Sequence, residues 1–216
     1  MEIICFGDSI TRGYDVPYGQ GWVEICDASI EGVHFTNYGE DGCSVQGMIY
    51  NIEKWLPTAV ADSTRHIFLM CGTNDILQGR DSAYVFKTLV KAIELASTKG
   101  KVIIGLETQI DSDMDGLDIV VREVNEQLKA YAAEHDLKVI DFYTSLYEAD
   151  QIGQIVFAGE VHPNARGYRL MAYKALEIFT RLSKKNKSKI QLIRCIKKPR
   201  MRYLIRGFGD LYSLHV

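Results

Sequence analysis

The sequence predicts an α/β protein built on a parallel sheet with helices on both faces. Two observations carry this. Five short apolar runs alternate with longer stretches of helical periodicity, the pattern of repeated strand–helix–strand units. Runs such as 102–106 are apolar without interruption, which suits strands buried on both faces. A chain of 216 residues, 47% hydrophobic, is long enough for one sizeable core and fits one domain better than two.

The runs "EIICFG" (2–7), "VHFTN" (33–37), "HIFLM" (66–70), "KVIIGL" (101–106) and "KVIDF" (138–142) read as strands. They are short, β-branched or aromatic, and mostly bounded by polar residues or glycine. Between them Phe86, Leu89, Val90, Ile93 and Ala96 share one helical face. Leu117, Val120, Val121, Val124, Leu128 and Tyr131 share another. A last helix begins near Ala165 and carries Met171, Ala175, Phe179 and Leu182. Segments 21–30 and 46–56 are shorter helix candidates. There is no internal repeat, and no linker divides 1–183. Residues 184–216 are set apart as a basic C-terminal extension rather than a second domain: 184–206 hold ten Lys or Arg and no acid. That stretch reads as a solvated tail or as a surface for anionic lipid, nucleic acid or a partner. Leu192, Ile193, Ile196, Leu204 and Ile205 argue against a purely disordered tail.

Composition excludes several classes. The net charge of −3 leaves the protein as a whole without the footprint of a nucleic-acid binder. The five cysteines are odd in number and never spaced as CxxC, so a zinc site or disulfide framework is not expected. Reduced, buried thiols in a cytoplasmic protein are the better reading. The start "MEIICFGDS" lacks a basic region followed by a long apolar stretch, so no signal peptide is expected. No apolar run reaches the roughly 18 residues of a membrane span.

In an open α/β sheet, ligands bind beyond the carboxyl ends of the strands, near the point where strand order reverses. The residues that follow each strand are therefore informative. After the first comes "GDSITRG", where Gly7 permits a sharp turn and Ser9 is either an exposed nucleophile or an N-cap. It is not a GxSxG elbow. After the second comes "NYGEDGCS", in which Gly39 and Gly42 let backbone approach a ligand, or simply make a turn. After the third, "CGTNDIL" offers the Asn74 amide as a donor for developing negative charge, or as turn chemistry; Asp75 reads as structural. Beyond the fifth strand lies "AGEVHPNARGY", whose His162 titrates in the range that suits a general base, or is structural. His34 and His66 begin strands, at the wrong edge; His135 closes a helix and His215 lies in the tail. Each signal is weak alone, but together they place a nucleophile, donors and a base at the carboxyl edge of successive elements.

The blocks "FGDS", "NYGEDG", "GTND" and "VHPNARGY", in this order, resemble those of the GDSL-type or SGNH serine hydrolases, over about residues 3–182. The resemblance implies a three-layer α/β/α, flavodoxin-like fold with a five-stranded parallel sheet. It implies hydrolysis of small-molecule esters without metal or cofactor. Ser9 would be nucleophile and His162 base, with Gly39 N–H, the Asn74 side chain and Ser9 N–H as oxyanion hole. One departure stands out: the family usually has an aspartate three residues before the histidine, and here that residue is Gly159. Glu160, a backbone carbonyl or water are the possible substitutes for orienting His162. The alternative is a catalytically impaired ligand-binding protein on the same fold. A flavodoxin-like cofactor binder is a third reading, but no GxGxxG or phosphate loop follows the first strand. Loops 14–20 and 107–116 are expected to shape the pocket.

Overall fold

The computed structural model describes residues 1–56, 64–110 and 116–186. Its elements are β1 (Glu2–Gly7), α1 (Ser9–Arg12), α2 (Trp22–Asp27), β2 (His34–Gly39), α3 (Val45–Trp55), β3 (Arg65–Met70), α4 (Thr73–Leu77), α5 (Ser82–Ser97), β4 (Lys101–Leu106), α6 (Leu117–Glu134), β5 (Lys138–Asp141), α7 (Phe142–Gln151) and α8 (Ala165–Asn186). The strands form one five-stranded sheet in the order β2-β1-β3-β4-β5, and every pairing is parallel. This is the three-layer α/β/α, flavodoxin-like architecture expected.

Alternation along each strand divides the core in two. Ile4 and Phe6 of β1, Ile67 and Leu69 of β3 and Ile104 of β4 face a cluster with α3, α5 and α6. Ile3 and Cys5, Phe68 and Met70, and Ile103 face the opposite cluster with α2, α7 and α8. Strands sandwiched this way need apolar residues at successive positions, which explains their uninterrupted hydrophobic runs. The cores pack aromatic against aromatic: Trp22 lies 4.8 Å from Phe68 and 5.2 Å from Phe142 between ring centroids.

Strand order reverses at β1, which pairs with β2 on one side and β3 on the other. Gly7 is in register with Gly39 and with Met70, so the three strands end level. The segments that follow them therefore converge on one crevice, where ligands bind in such sheets.

Several details depart from the sequence reading. The second strand spans His34–Gly39 rather than starting at Val33. The helix at 21–30 is shorter, Trp22–Asp27. Residue 142, read as the end of the fifth strand, instead begins α7: Asp141 Oδ1 caps the helix by accepting Thr144 N–H at 2.9 Å, and Phe142, Leu146 and Ala149 are buried beneath it. The proposed boundary at residue 183 falls inside α8, and residues 187–216, most of the basic extension with Cys195 and His215, lie outside the described residues, as do 111–115 of the loop 107–116.

Candidate active site

The turn after β1 admits no side chain at its first position. A Cβ on Gly7 would sit 2.2 Å from Thr11 Oγ1 and 2.3 Å from Met70 O. With glycine there, the chain folds at once into α1. Asp8, not Ser9, caps that helix, its Oδ1 accepting Ile10 N–H at 2.9 Å. The Ser9 hydroxyl is thereby left for another partner.

That partner arrives from a pinched loop between α7 and α8. Phe157 and Pro163 form an isolated antiparallel bridge, Ala158 N–H donates to His162 O at 2.9 Å and Asn164 N–H to Val156 O at 2.8 Å. Asn164 locks the base of the pinch. Its Nδ2 donates to Ile155 O and Phe157 O, while its Oδ1 accepts the Arg166 and Gly167 N–H groups in the first turn of α8. Gly167 lets the loop lie against this turn, since a Cβ there would approach Val156 O to 2.3 Å. His162 is thus held between two rigid anchors, and Gly159 and Glu160 sit at the exposed tip.

Ser9 Oγ and His162 Nε2 lie 2.9 Å apart, hydrogen-bonded across 153 positions of sequence. With the ring proton on Nδ1, the hydroxyl donates and Nε2 accepts. Ser9 is itself largely buried, 7% exposed. Among the described residues nothing bonds to His162 Nδ1. Burial holds the His162 pKa below its ordinary value, although the charges of Asp15 and Asp41 pull it upward. The ring is therefore neutral, and able to accept a proton, at neutral pH.

The other histidines are elsewhere. His34 opens β2, His66 is buried at the start of β3, and His135 ends α6 with Nδ1 bonded to Tyr131 O and its ring 3.9 Å from that of Tyr131. Glu160 forms no hydrogen bond to His162 among the described residues. With Gly159 it lines a cleft of about 240 Å³ beside Gln109, Asp118 and Asp150.

The three candidate oxyanion donors differ in how committed they already are. Ser9 N–H opens α1, where the helix itself provides no acceptor. Asn74, on α4, gives one Nδ2 hydrogen to Cys43 O at 3.0 Å, which fixes the amide and leaves the second. Gly39 N–H donates to Asn37 Oδ1 at 2.9 Å. Glycine is required at 39 for another reason as well: a Cβ would lie 2.3 Å from Arg12 N. Asn37 draws the segments together through Nδ2, bonded to Thr11 O and Glu24 Oε1. Asp75 serves the backbone, accepting Val45 N–H, the first of α3, at 2.9 Å.

Two buried acids, Asp8 and Glu107, act on one another through their charges. Asp8 is fully buried, and its carboxyl is pushed up to about 7, first by burial, with the charge of Asp75 adding to the effect and backbone N–H donors opposing it. The carboxyl of Glu107, the residue after β4, is raised by burial and then by the charge of Asp8, while Thr73 Oγ1 donates to it at 2.7 Å. Among the described residues no cluster of three His, Cys, Asp or Glu side chains is arranged to hold a metal ion.

Several residues of this neighbourhood were invisible as such in the sequence. Asn164 sits inside the "VHPNARGY" block, but its clamp needs the pinch to be seen. Glu107 lay in the loop 107–116, with nothing in the sequence to mark it as buried. Tyr14 lies in the loop expected to shape the pocket, yet only the fold brings its ring to His162, with centroids 4.5 Å apart.

A seryl hydroxyl bonded to an imidazole at the switch point of a parallel sheet is the arrangement of a serine hydrolase. The chain belongs to the GDSL-like lipase/acylhydrolase family, whose model matches residues 5–170, and it is a hydrolase of ester bonds. A crystal structure of a member of the lipolytic G-D-S-L family from Veillonella parvula is 90% identical, with TM-score 0.82, covering 84% of this chain and 99% of that one. A lipolytic G-D-S-L protein structure from Desulfitobacterium hafniense is 20% identical (TM-score 0.69; 82% of this chain, 98% of that one). Axe2, an acetylxylan esterase from Geobacillus stearothermophilus, is 18% identical (TM-score 0.67; 82% of this chain, 92% of that one) and shares the fold. No curated protein sequence matches the chain. No helix among the described residues is long and apolar enough to cross a membrane.

Proposed function

We propose that the protein is a serine esterase or acylhydrolase that cleaves carboxylic esters of small or medium acyl groups through an acyl-enzyme on Ser9. The observation that carries this reading is the 2.9 Å bond between Ser9 Oγ and His162 Nε2. As Oγ bonds to the ester carbonyl carbon, Nε2 takes the hydroxyl proton and the carbonyl π electrons move onto oxygen. Ser9 N–H and the second Asn74 N–H stabilise that oxygen, and Gly39 N–H joins them when its bond to Asn37 is shared. The C–O bond to the alcohol then breaks, with His162 returning the proton to the leaving oxygen. Water, deprotonated by the same nitrogen, releases the acid.

On this reading 1–183 is the catalytic unit, with the basic extension outside it. The buried thiols of Cys5, Cys43 and Cys71 support residence in a reducing compartment, the cytoplasm. The second reading, an impaired ligand-binding protein, is favoured by one observation: no carboxylate bonds His162 Nδ1 among the described residues. An assay of aryl esters of increasing acyl length and of acetylated sugars, against a Ser9→Ala control, decides between the two. Turnover of short esters by the wild type alone is expected; binding without turnover by either protein supports the second reading.

A further inference from the structure

Among the described residues no side chain anchors His162 Nδ1 as a third triad member would. Residue 159 is glycine, and a Cβ placed there meets nothing within 4 Å. Glu160 is turned to the neighbouring cleft. An imidazole held only by Ser9 would turn about its Cβ–Cγ bond and spend much of its time away from the nucleophile. In the structure its face is covered instead. The Tyr14 ring lies 4.5 Å from the imidazole between centroids, tilted by 37°.

Tyr14 is itself placed by the elements that carry nucleophile and base. Gly13, in the left-handed conformation at φ 86°, ends α1 and turns the chain. Tyr14 N–H then donates to Ser9 O at 3.0 Å, the carbonyl of the nucleophile's own residue. Tyr14 O accepts the hydroxyl of Tyr168 at 3.1 Å, and Tyr168 is a buried residue of α8, six positions after His162. Arg12, paired with Asp41 at 2.6 Å, lies 5.9 Å from the Tyr14 ring centre. The tyrosine backbone is thus bonded to both sides of the dyad, while its ring, in a residue 40% exposed, rests on the imidazole.

Resting on the serine-esterase reading, we propose that Tyr14 is the positioning residue for His162. Its ring is a shelf that keeps Nε2 on Ser9 Oγ, in place of the hydrogen bond that a carboxylate at position 159 would supply. Its π face also favours the imidazolium that forms as His162 takes the proton, an attraction of cation and ring quadrupole that is absent while the imidazole is neutral. An interaction that strengthens on the way to the transition state raises kcat and leaves KM nearly unchanged. Tyr14's hydroxyl has no part in this, so phenylalanine replaces it.

The test compares Tyr14→Phe, Tyr14→Leu and Tyr14→Ala with wild type and Ser9→Ala, on a short-chain aryl ester and on inactivation by a small sulfonyl fluoride, which reports serine activation without the substrate's binding contacts. Thermal midpoints are measured alongside. Tyr14→Phe should retain kcat within about twofold, while Tyr14→Leu and Tyr14→Ala lose about tenfold in kcat and in sulfonylation rate with KM within about twofold. If Tyr14→Ala fails to fold, the Phe and Leu pair decides alone. Leu equal to Phe in kcat and sulfonylation rate overturns the proposal, as does a change confined to KM. If Ser9→Ala itself turns over ester, the serine mechanism fails. If Ser9→Ala is dead and Tyr14→Leu is fully active, only the role of Tyr14 fails.

Discussion

Asn37 Oδ1 accepts the Gly39 N–H at 2.9 Å, so one of the three candidate oxyanion donors is already engaged. In the proposed mechanism the burden of stabilising a tetrahedral intermediate shifts to the others, above all to Asn74, whose amide is oriented by Cys43 O and keeps a second hydrogen.

Asn74→Ala should therefore lower kcat by roughly 10²–10³, the range for losing one such donor, with little change in KM. Steady-state kinetics on an aryl ester check this. An effect confined to KM makes Asn74 a substrate-binding or structural residue.

The pH dependence follows from the environment of His162. Burial lowers its pKa, so the acid limb of kcat/KM should fall below the ordinary histidine value of about 6.5. Asp15 and Asp41 oppose burial, and Asp15→Asn or Asp41→Asn should move the limb lower still. These charges act across partly exposed space, so added salt should shrink the difference. A limb that stays fixed in both variants at low salt removes their field from the account.

Asp8 makes stability depend on pH in the direction opposite to a salt-bridged acid. Its folded pKa is raised to about 7, against about 3.9 in an unfolded chain. Below the lower value both states are protonated and nothing is lost. Between the two the unfolded chain holds fewer protons, so stability falls as pH rises, and it levels off above the folded value. Asp8→Asn keeps the Oδ1 acceptor for Ile10 N–H and removes the titration. Its thermal midpoint relative to wild type should rise between about pH 4.5 and about pH 8. A constant difference across that range contradicts the protonated, buried Asp8.

Gly159 has room for a side chain, and its φ is not among the positive values that disfavour one. Gly159→Asp should fold normally. If its carboxylate reaches Nδ1–H, kcat/KM should gain roughly tenfold, less than the ~10⁴ effect of a triad aspartate because the ring is already positioned, and the His162 pKa should rise. Glu160→Gln should change little. A well-folded Gly159→Asp with neither gain in rate nor shift in histidine pKa shows that an aspartate at this position does not serve the ring.

What the sequence made legible was the set of residues whose spacing reflects local chemistry. Strands carried it as apolar runs because both faces are buried; Ser9, Gly39, Asn74 and His162 carried it as blocks at the ends of elements. Whether Ser9 caps α1 was undecidable in the sequence, since Asp8 and Ser9 both suit a cap; only coordinates show Asp8 bonded to Ile10 N–H and Ser9 bonded to His162. The Asn37–Gly39 bond was hidden for the same reason, being one of several turns that "NYGEDG" allows. Tyr14 was hidden because its ring meets a residue 148 positions away, joined only when the loop before α8 folds against the segment that follows α1. The helix α7 carried a short apolar face that a neighbouring strand obscured.

The central claim is a covalent acyl group on Ser9. The direct measurement is rapid acid quench during turnover of a short-chain aryl ester, followed by mass analysis of the peptide containing Ser9. The account predicts an added acyl mass on Ser9 in the wild type, and none in Ser9→Ala, which should not turn over. Ester hydrolysis by Ser9→Ala at the wild-type rate, with no acyl group on the wild-type serine, would contradict it.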